Sequence, residues 1–189
     1  MSRKISKVLG MMHNYLYIKR YNVRVGKGNT LNGRLFLFNG LGGEIKIGNN
    51  CLINSGKEFN PIGGDCRTIL RTEKSGKIII GNHVGISNSA IIAFSEIIIA
   101  DDVMIGGNCM IFDSDFHSLD YFDRMNDRNV RSEPVEIREG AFIGCSSIIL
   151  KGVTIGKHSV IGAGSVVTQS IPENEIWAGN PARFIRKIL

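Results

Sequence analysis

Ile137-Arg-Glu-Gly-Ala-Phe, Ile143-Gly-Cys-Ser-Ser-Ile, Ile149-Leu-Lys-Gly-Val-Thr, Ile155-Gly-Lys-His-Ser-Val, Ile161-Gly-Ala-Gly-Ser-Val and Val167-Thr-Gln-Ser-Ile-Pro follow one another without a gap from Ile137 to Pro172. The first position is always Ile or Val, the second is often Gly, and the fifth is Ala, Ser, Val or Ile. A short fixed period marks a solenoid, and a period of six points to a parallel β-helix. One β-branched side chain per repeat enters the core from a flat strand, and the small fifth residue fits beside it. Gly, Asn or Asp lets the chain turn where φ is positive. Three such faces close a triangular coil of about eighteen residues, and coils stack at roughly 4.8 Å, the spacing of paired strands. An amphipathic helix needs apolar residues at i, i+3, i+4 and i+7, which this stretch lacks.

Outward from this block the period is less regular. It begins at Val25-Gly-Lys-Gly-Asn-Thr and Leu31-Asn-Gly-Arg-Leu-Phe, continues through Ile47-Gly-Asn-Asn-Cys-Leu, and is lost from Lys57 to Ser75, where Pro61, Gly63 and Gly64 mark a loop or a distorted face. Regular repeats return at Ile80 and Ile86 and again at Ile99 and Ile105. A break of about twenty polar residues, 114–134, then interrupts the solenoid and carries Asp115-Phe116-His117. A long loop in an otherwise regular solenoid is the natural place for function. The expected organisation is an N-terminal helical cap over 1–22, a parallel β-helix over 23–172 with the inserted loop, and a basic tail helix over 173–189. In the cap, Ile5, Val8, Leu9, Met12 and Leu16 fall at helical spacing among Arg3, Lys4, Lys7 and Lys19.

Length and composition suit one soluble domain: 189 residues, 21% charged, net charge +6. The basic residues are not interleaved with aromatics, so nucleic acid is not an expected partner. No acidic residue precedes Glu44, whereas eight Lys or Arg do, so the N-terminal arm suits an anionic lipid surface or an anionic substrate carrier. No signal peptide or spanning segment is read, and the expected location is cytoplasmic. Cys51 and Cys109 take the small fifth position, as reduced core residues. His83 and His158 stand at fourth positions, facing outward near corners. No two His have the spacing of a solenoid metal site, so no metal is expected.

The hexapeptide blocks, the interrupting loop with its single His, Ile161-Gly-Ala-Gly-Ser-Val-Val-Thr and the closing Ala178-Gly-Asn-Pro-Ala-Arg resemble the hexapeptide-repeat acyltransferases. Within them the chain is most similar to the galactoside/maltose acetyltransferases and the polysaccharide O-acetyltransferases. The resemblance implies an all-β, left-handed parallel β-helix with a short helix at each end, assembled as a homotrimer with sites between subunits. It implies acetyl-CoA as co-substrate, a sugar or glycan acceptor, and His117 as the base. Asp113, Asp115 or Asp120 is available to orient the imidazole, with Asp115 the nearest in sequence. By hexapeptide register Ser87 takes the acceptor-contacting place, and by a shifted alignment Asn88 does. Cys145 and Ala163 match positions where pantetheine meets the main chain; Thr168 follows in line, and Arg183 and Arg186, at i, i+3 of a tail helix, suit the coenzyme's phosphates. Phe142 and Trp177 read as packing residues. Two other functions compete: N-acetylation of an amino sugar nucleotide, whose enzymes often carry an N-terminal βαβ unit too large for the first twenty residues, and a non-catalytic solenoid serving as a binding scaffold.

Overall fold

The six-residue pattern winds into a three-sided prism of stacked parallel strands. The computed structural model describes residues 3–126 and 128–188, with side chains from Lys7 onward. The first face holds β1 (Arg24–Val25), β4 (Glu44–Ile47), β7 (Lys77–Ile80), β10 (Glu96–Ile99), β13 (Val135–Ile137) and β16 (Thr154–Ile155). On the second lie β2 (Thr30–Gly33), β5 (Leu52–Ser55), β8 (Gly85–Ser87), β11 (Met104–Ile105), β14 (Phe142–Ile143), β17 (Val160–Ile161), β19 (Glu175–Ala178) and β20 (Arg183–Lys187). The third is made of β3 (Phe36–Phe38), β6 (Ile69–Thr72), β9 (Ala90–Ala93), β12 (Met110–Phe112), β15 (Ile148–Ile149) and β18 (Val166–Val167).

Register puts like residues on like. Ile47, Ile80, Ile99, Ile137 and Ile155 stack in pairs along the first face, and all are buried. The fifth positions, Cys51, Cys109, Ser147, Ser159 and Ser165, are buried between these columns, and burial pushes the Cys51 and Cys109 thiols up from their ordinary value. The fourth position is the corner, with positive φ at Asn50, His83, Asp102, Asn108, Ser146 and His158. Both histidines are exposed there. The Gly at position two has a different cause. A Cβ on Gly144 would stand 2.5 Å from the Ala163 nitrogen of the next coil, so the stacking distance leaves room only for hydrogen.

Three elements differ from the reading of the sequence. Helix α1 (Arg3–Arg20) does cap the open end, but not through its apolar stripe. Its docking face is Gly10, His13, Asn14, Tyr17 and Ile18. A Cβ on Gly10 would lie 2.8 Å from the Gly33 carbonyl oxygen, and buried Asn14 donates to Gly33 O (2.9 Å) and accepts from Leu35 N (3.0 Å). A terminal coil exposes unpaired peptide groups, so a polar side chain completes it better than a methyl group. Val8, Leu9, Met12 and Leu16 face away and are exposed; Ile5, Arg3 and Lys4 lie outside the described side chains.

The second difference is the tail. It is not a helix: β20 runs antiparallel to β19, which itself continues the second face beyond Pro172 by pairing with β17. An open sheet edge needs partners for its amides, and folding the tail back supplies them where a helix would not. Third, the irregular stretch is shorter than Lys57–Ser75, because β6 belongs to the third face; the loop proper leaves the corner between the second and third faces after Ser55.

Candidate functional site

The inserted loop leaves the corner between the third and first faces and is tied at its neck by three rungs. Glu133 N donates to Asp113 O (2.8 Å), Ser114 and Ser132 form an antiparallel bridge, and Asp115 N donates to Arg131 O (3.0 Å). Fully buried Asp113 accepts the amides of Phe94 and Ser95, each at 2.7 Å. Burial pushes its carboxyl above the usual carboxylate range, against the pull of those amides. Phe116 adopts φ of 60° and sets its ring edge-on to both Phe94 and Phe112. This half-buried wedge turns the next residue outward.

That residue is His117. Its amide donates to Asp115 O (2.7 Å), while its exposed ring has no hydrogen-bond partner among the described residues. None of the three candidate aspartates orients it. Asp113 is engaged by the two amides, and Asp120 accepts from Asp123 N (3.0 Å) as the N-cap of α2 (Tyr121–Met125). Asp115, expected beside the imidazole, instead pairs with Lys151 Nζ at 2.8 Å. Lys151 stands on the coil after the loop, so this pair pins the loop to the prism, a role no local pattern signalled. Around His117 the loop tip exposes Leu119, Tyr121, Phe122 and Met125, and Asp115, Ser118, Asp120, Asp123, Asn129 and Arg131 line a cleft of about 360 Å³ beneath it.

Ser87 and Asn88 separate in the structure. From Ile86 to Ile91 the coil uses five residues where six are usual, because Ile91 pairs with Ile111 and Leu70 on the third face. The missing residue moves Asn88 to the left-handed corner (φ 45°), one coil before Asn108. There its side chain is buried and fully used: it accepts from Gly56 N (2.7 Å) and donates to Asn60 O (2.7 Å) and Ile62 O (2.8 Å), which ties down the preceding loop. The Asn88 side chain is therefore taken up within the fold and is not presented to the surface as an acceptor contact requires. Ser87 keeps the second position on the second face and ends a polar ladder, Asn32 to Asn54 (3.0 Å) to Ser87 (3.3 Å).

Beyond Ser87 this column becomes small: Gly106, Gly144, Gly162 and Ala178. It ends opposite Arg183, since Ala178 pairs with Arg183. A register shift pairs Arg186 with Ile176, so both arginines oppose residues two apart on β19 and share one face, although their spacing is three. The neighbouring column on that face, Met104, Phe142, Val160 and Ile176, includes the half-exposed Phe142. Cys145 and Ala163 stand at the adjoining corner, stacked on successive coils, and their amide nitrogens find no acceptor among the described residues. Thr168 is not with them. It follows Val167 on the third face, in the outward column of Phe112 and Leu150, on the side of the His117 loop. Trp177 is half-buried at the end of the core, packed edge-on to Phe184 and donating to Glu175 (2.8 Å).

With this geometry in hand, comparison with known proteins is direct. Residues 134–169 match the family described as bacterial transferase hexapeptide (six repeats). A Schizosaccharomyces pombe protein bearing the name acetyltransferase is 40% identical over 113 residues, which are 60% of this chain and 52% of that protein. The chain thus spans about half the length of the curated relatives it matches. Among solved structures, AntD, an N-acyltransferase from Bacillus cereus in complex with dTDP and Coenzyme A, superposes with a TM-score of 0.69 at 23% identity, over 91% of this chain and 88% of that one. A galactoside acetyltransferase in complex with Coenzyme A gives a TM-score of 0.60 at 22% identity, over 99% and 82%. At such identities the likeness concerns the fold, which is a left-handed parallel β-helix. In its repeats, and in the prism they build, this chain is similar to the hexapeptide-repeat transferases.

Proposed function

We propose that the chain is an acetyl-CoA-dependent O-acetyltransferase that acts on a sugar hydroxyl in surface polysaccharide or oligosaccharide biosynthesis. The observation that carries this reading is His117: an imidazole without a partner among the described residues, presented by a loop lashed at its neck and pinned through Asp115 to Lys151. A neutral imidazole is the natural base near neutral pH. It takes the acceptor's hydroxyl proton as the oxygen attacks the thioester carbonyl, and returns that proton to the departing thiolate. No acyl-enzyme is needed. Cys145 serves through its main chain, so its thiol is not the nucleophile.

The second face suits the donor. Gly106, Gly144 and Gly162 leave a shallow track, and the free amides of Cys145 and Ala163 suit a pantetheine's carbonyls. Arg183 and Arg186 share the face at its end, where they suit phosphates. On one chain this face and His117 belong to different parts of the prism, so a shared site calls for neighbouring copies, as in a homotrimer. The apolar loop tip of Leu119, Tyr121, Phe122 and Met125 supports that arrangement, because the described residues of its own chain leave it exposed. No described helix is long and apolar enough to cross a membrane, and acetyl-CoA chemistry of this kind belongs in the cytoplasm.

The test is a panel of sugars, lipid-linked glycans and amino sugar nucleotides with acetyl-CoA, read as free thiol. His117→Ala is expected to lower acceptor-dependent release at least about a hundredfold. Unchanged release would remove the assignment. The second reading, N-acylation of an amino sugar nucleotide, is favoured by the closer superposition of AntD; turnover confined to the amino sugars would select it.

A further inference from the structure

Helix α1 docks on the prism through Gly10, His13, Asn14, Tyr17 and Ile18 and turns a second, apolar face to the outside. Successive helical residues are 100° apart, so Val8, Met12, Tyr15, Leu16 and Lys19 fall within an arc of about 100°. On this face Val8, Met12, Tyr15 and Leu16 are each 56–62% exposed, as is the adjacent Met11. The docking residues, Gly10, Asn14, Tyr17 and Ile18, lie on the opposite side, so the exposed face is not a reserve for the core. A groove of about 350 Å³, lined in part by Met11, Tyr15, Ile18 and Leu31, opens along one flank of the helix.

Charge decides what covers such a face. α1 has no acidic residue, its last turn carries Lys19 and Arg20, and no acid occurs before Glu44. A second copy of this helix would bring cation against cation. A partner with apolar depth under a layer of negative charge satisfies both halves of the surface. We propose that α1 docks the protein on an anionic lipid bilayer, lying in the interface with Val8, Met12, Tyr15 and Leu16 among the acyl chains and Lys19 and Arg20 at the phosphates. The helix lies on the membrane and does not cross it, since no described helix has a spanning segment. The long axis of the prism then stands away from the bilayer, because α1 closes one end of the stack.

Flotation of the full chain with phosphatidylcholine vesicles, with and without phosphatidylglycerol, tests this directly. The wild type is expected to float only with the mixed vesicles and to be released by salt. The double variant Met12→Glu, Leu16→Glu should lower partitioning at least about tenfold, with an unchanged unfolding midpoint because both side chains are exposed. Lys19→Glu should lower it several-fold while the apolar face is intact. A wild type that stays out of the mixed vesicles overturns the proposal, and so does flotation equal in the double variant. A variant that changes the native mass, with no vesicle binding in either protein, overturns it in favour of a contact between copies.

Discussion

Asp113 shows how a single side chain can hold a loop and report on it. Its carboxylate accepts two amides at the corner where the His117 loop departs, and burial raises its pKa. The folded value therefore lies above the unfolded one, about 3.9. The folded chain binds this proton more tightly, so the group favours folding at acid pH; that contribution is full below the unfolded value and is lost as pH rises through the raised one. In urea unfolding, the stability advantage of wild type over Asp113→Asn should be larger at about pH 4 than at about pH 7. The opposite trend would mean that the amides outweigh burial. Lys151 is the other residue that fixes the loop. Lys151→Ala frees Asp115; under the proposed function it is expected to lower kcat about three- to tenfold while the KM for acetyl-CoA stays level, because the proposed base loses its placement and the proposed donor face is untouched. An altered KM with unchanged kcat would move Lys151 into donor binding. His117 itself was legible from the sequence as the one His in the interrupting loop. That Asp115 does not meet its ring was not legible, because that carboxylate is turned elsewhere by a lysine thirty-six positions along the chain.

Strand and helix boundaries follow two different rules in this chain. Where the repeat is regular, each position is dictated by contact with the coil above. Gly144→Ala would press a Cβ against Ala163 N at 2.5 Å and Ile161 O at 2.7 Å, and is expected to cost about 1–3 kcal/mol. Gly164→Ala meets no atom within 4 Å but must hold φ near 71°, a cost of about 1–2 kcal/mol from backbone strain alone. Thermal unfolding of both separates crowding from conformation: Gly164→Asn, a residue that visits the left-handed region more readily, should recover part of the Gly164→Ala loss, whereas Gly144→Asn should cost more than Gly144→Ala, because the crowding atoms there belong to the backbone. Where the repeat ends, edges decide instead. Arg183-Phe-Ile-Arg-Lys is as compatible with a helix as with a strand, and it is drawn into β20 by the unpaired edge of β19. The register shift then gives two arginines spaced by three the common face that a helix would also have given them. Arg183→Glu and Arg186→Glu are each expected to raise the KM for acetyl-CoA about tenfold; a change in one alone would separate them.

The whole prism is a stack in which each coil covers the last, and its two ends and its protruding loop are the places that need a partner. α1 closes one end through Asn14, and β19 with β20 closes the other. The loop tip around Phe122 and Met125 stays open on a single chain. Native mass measurement is expected to give three times the 20.8 kDa chain, and Phe122→Asp with Met125→Asp to shift it toward the single chain with loss of turnover. An unshifted trimer would place the contact elsewhere. Read along the chain, the six-residue period was enough for the coil, its core columns, its corners and the interrupting loop, because all of these depend on neighbours one repeat away. It was not enough for the face on which α1 docks, the course of the tail, the corner position of Asn88 or the partner of Asp115. Those depend on groups brought together by stacking, where one coil of five residues or one open edge redirects a side chain, and no local spacing carries that information.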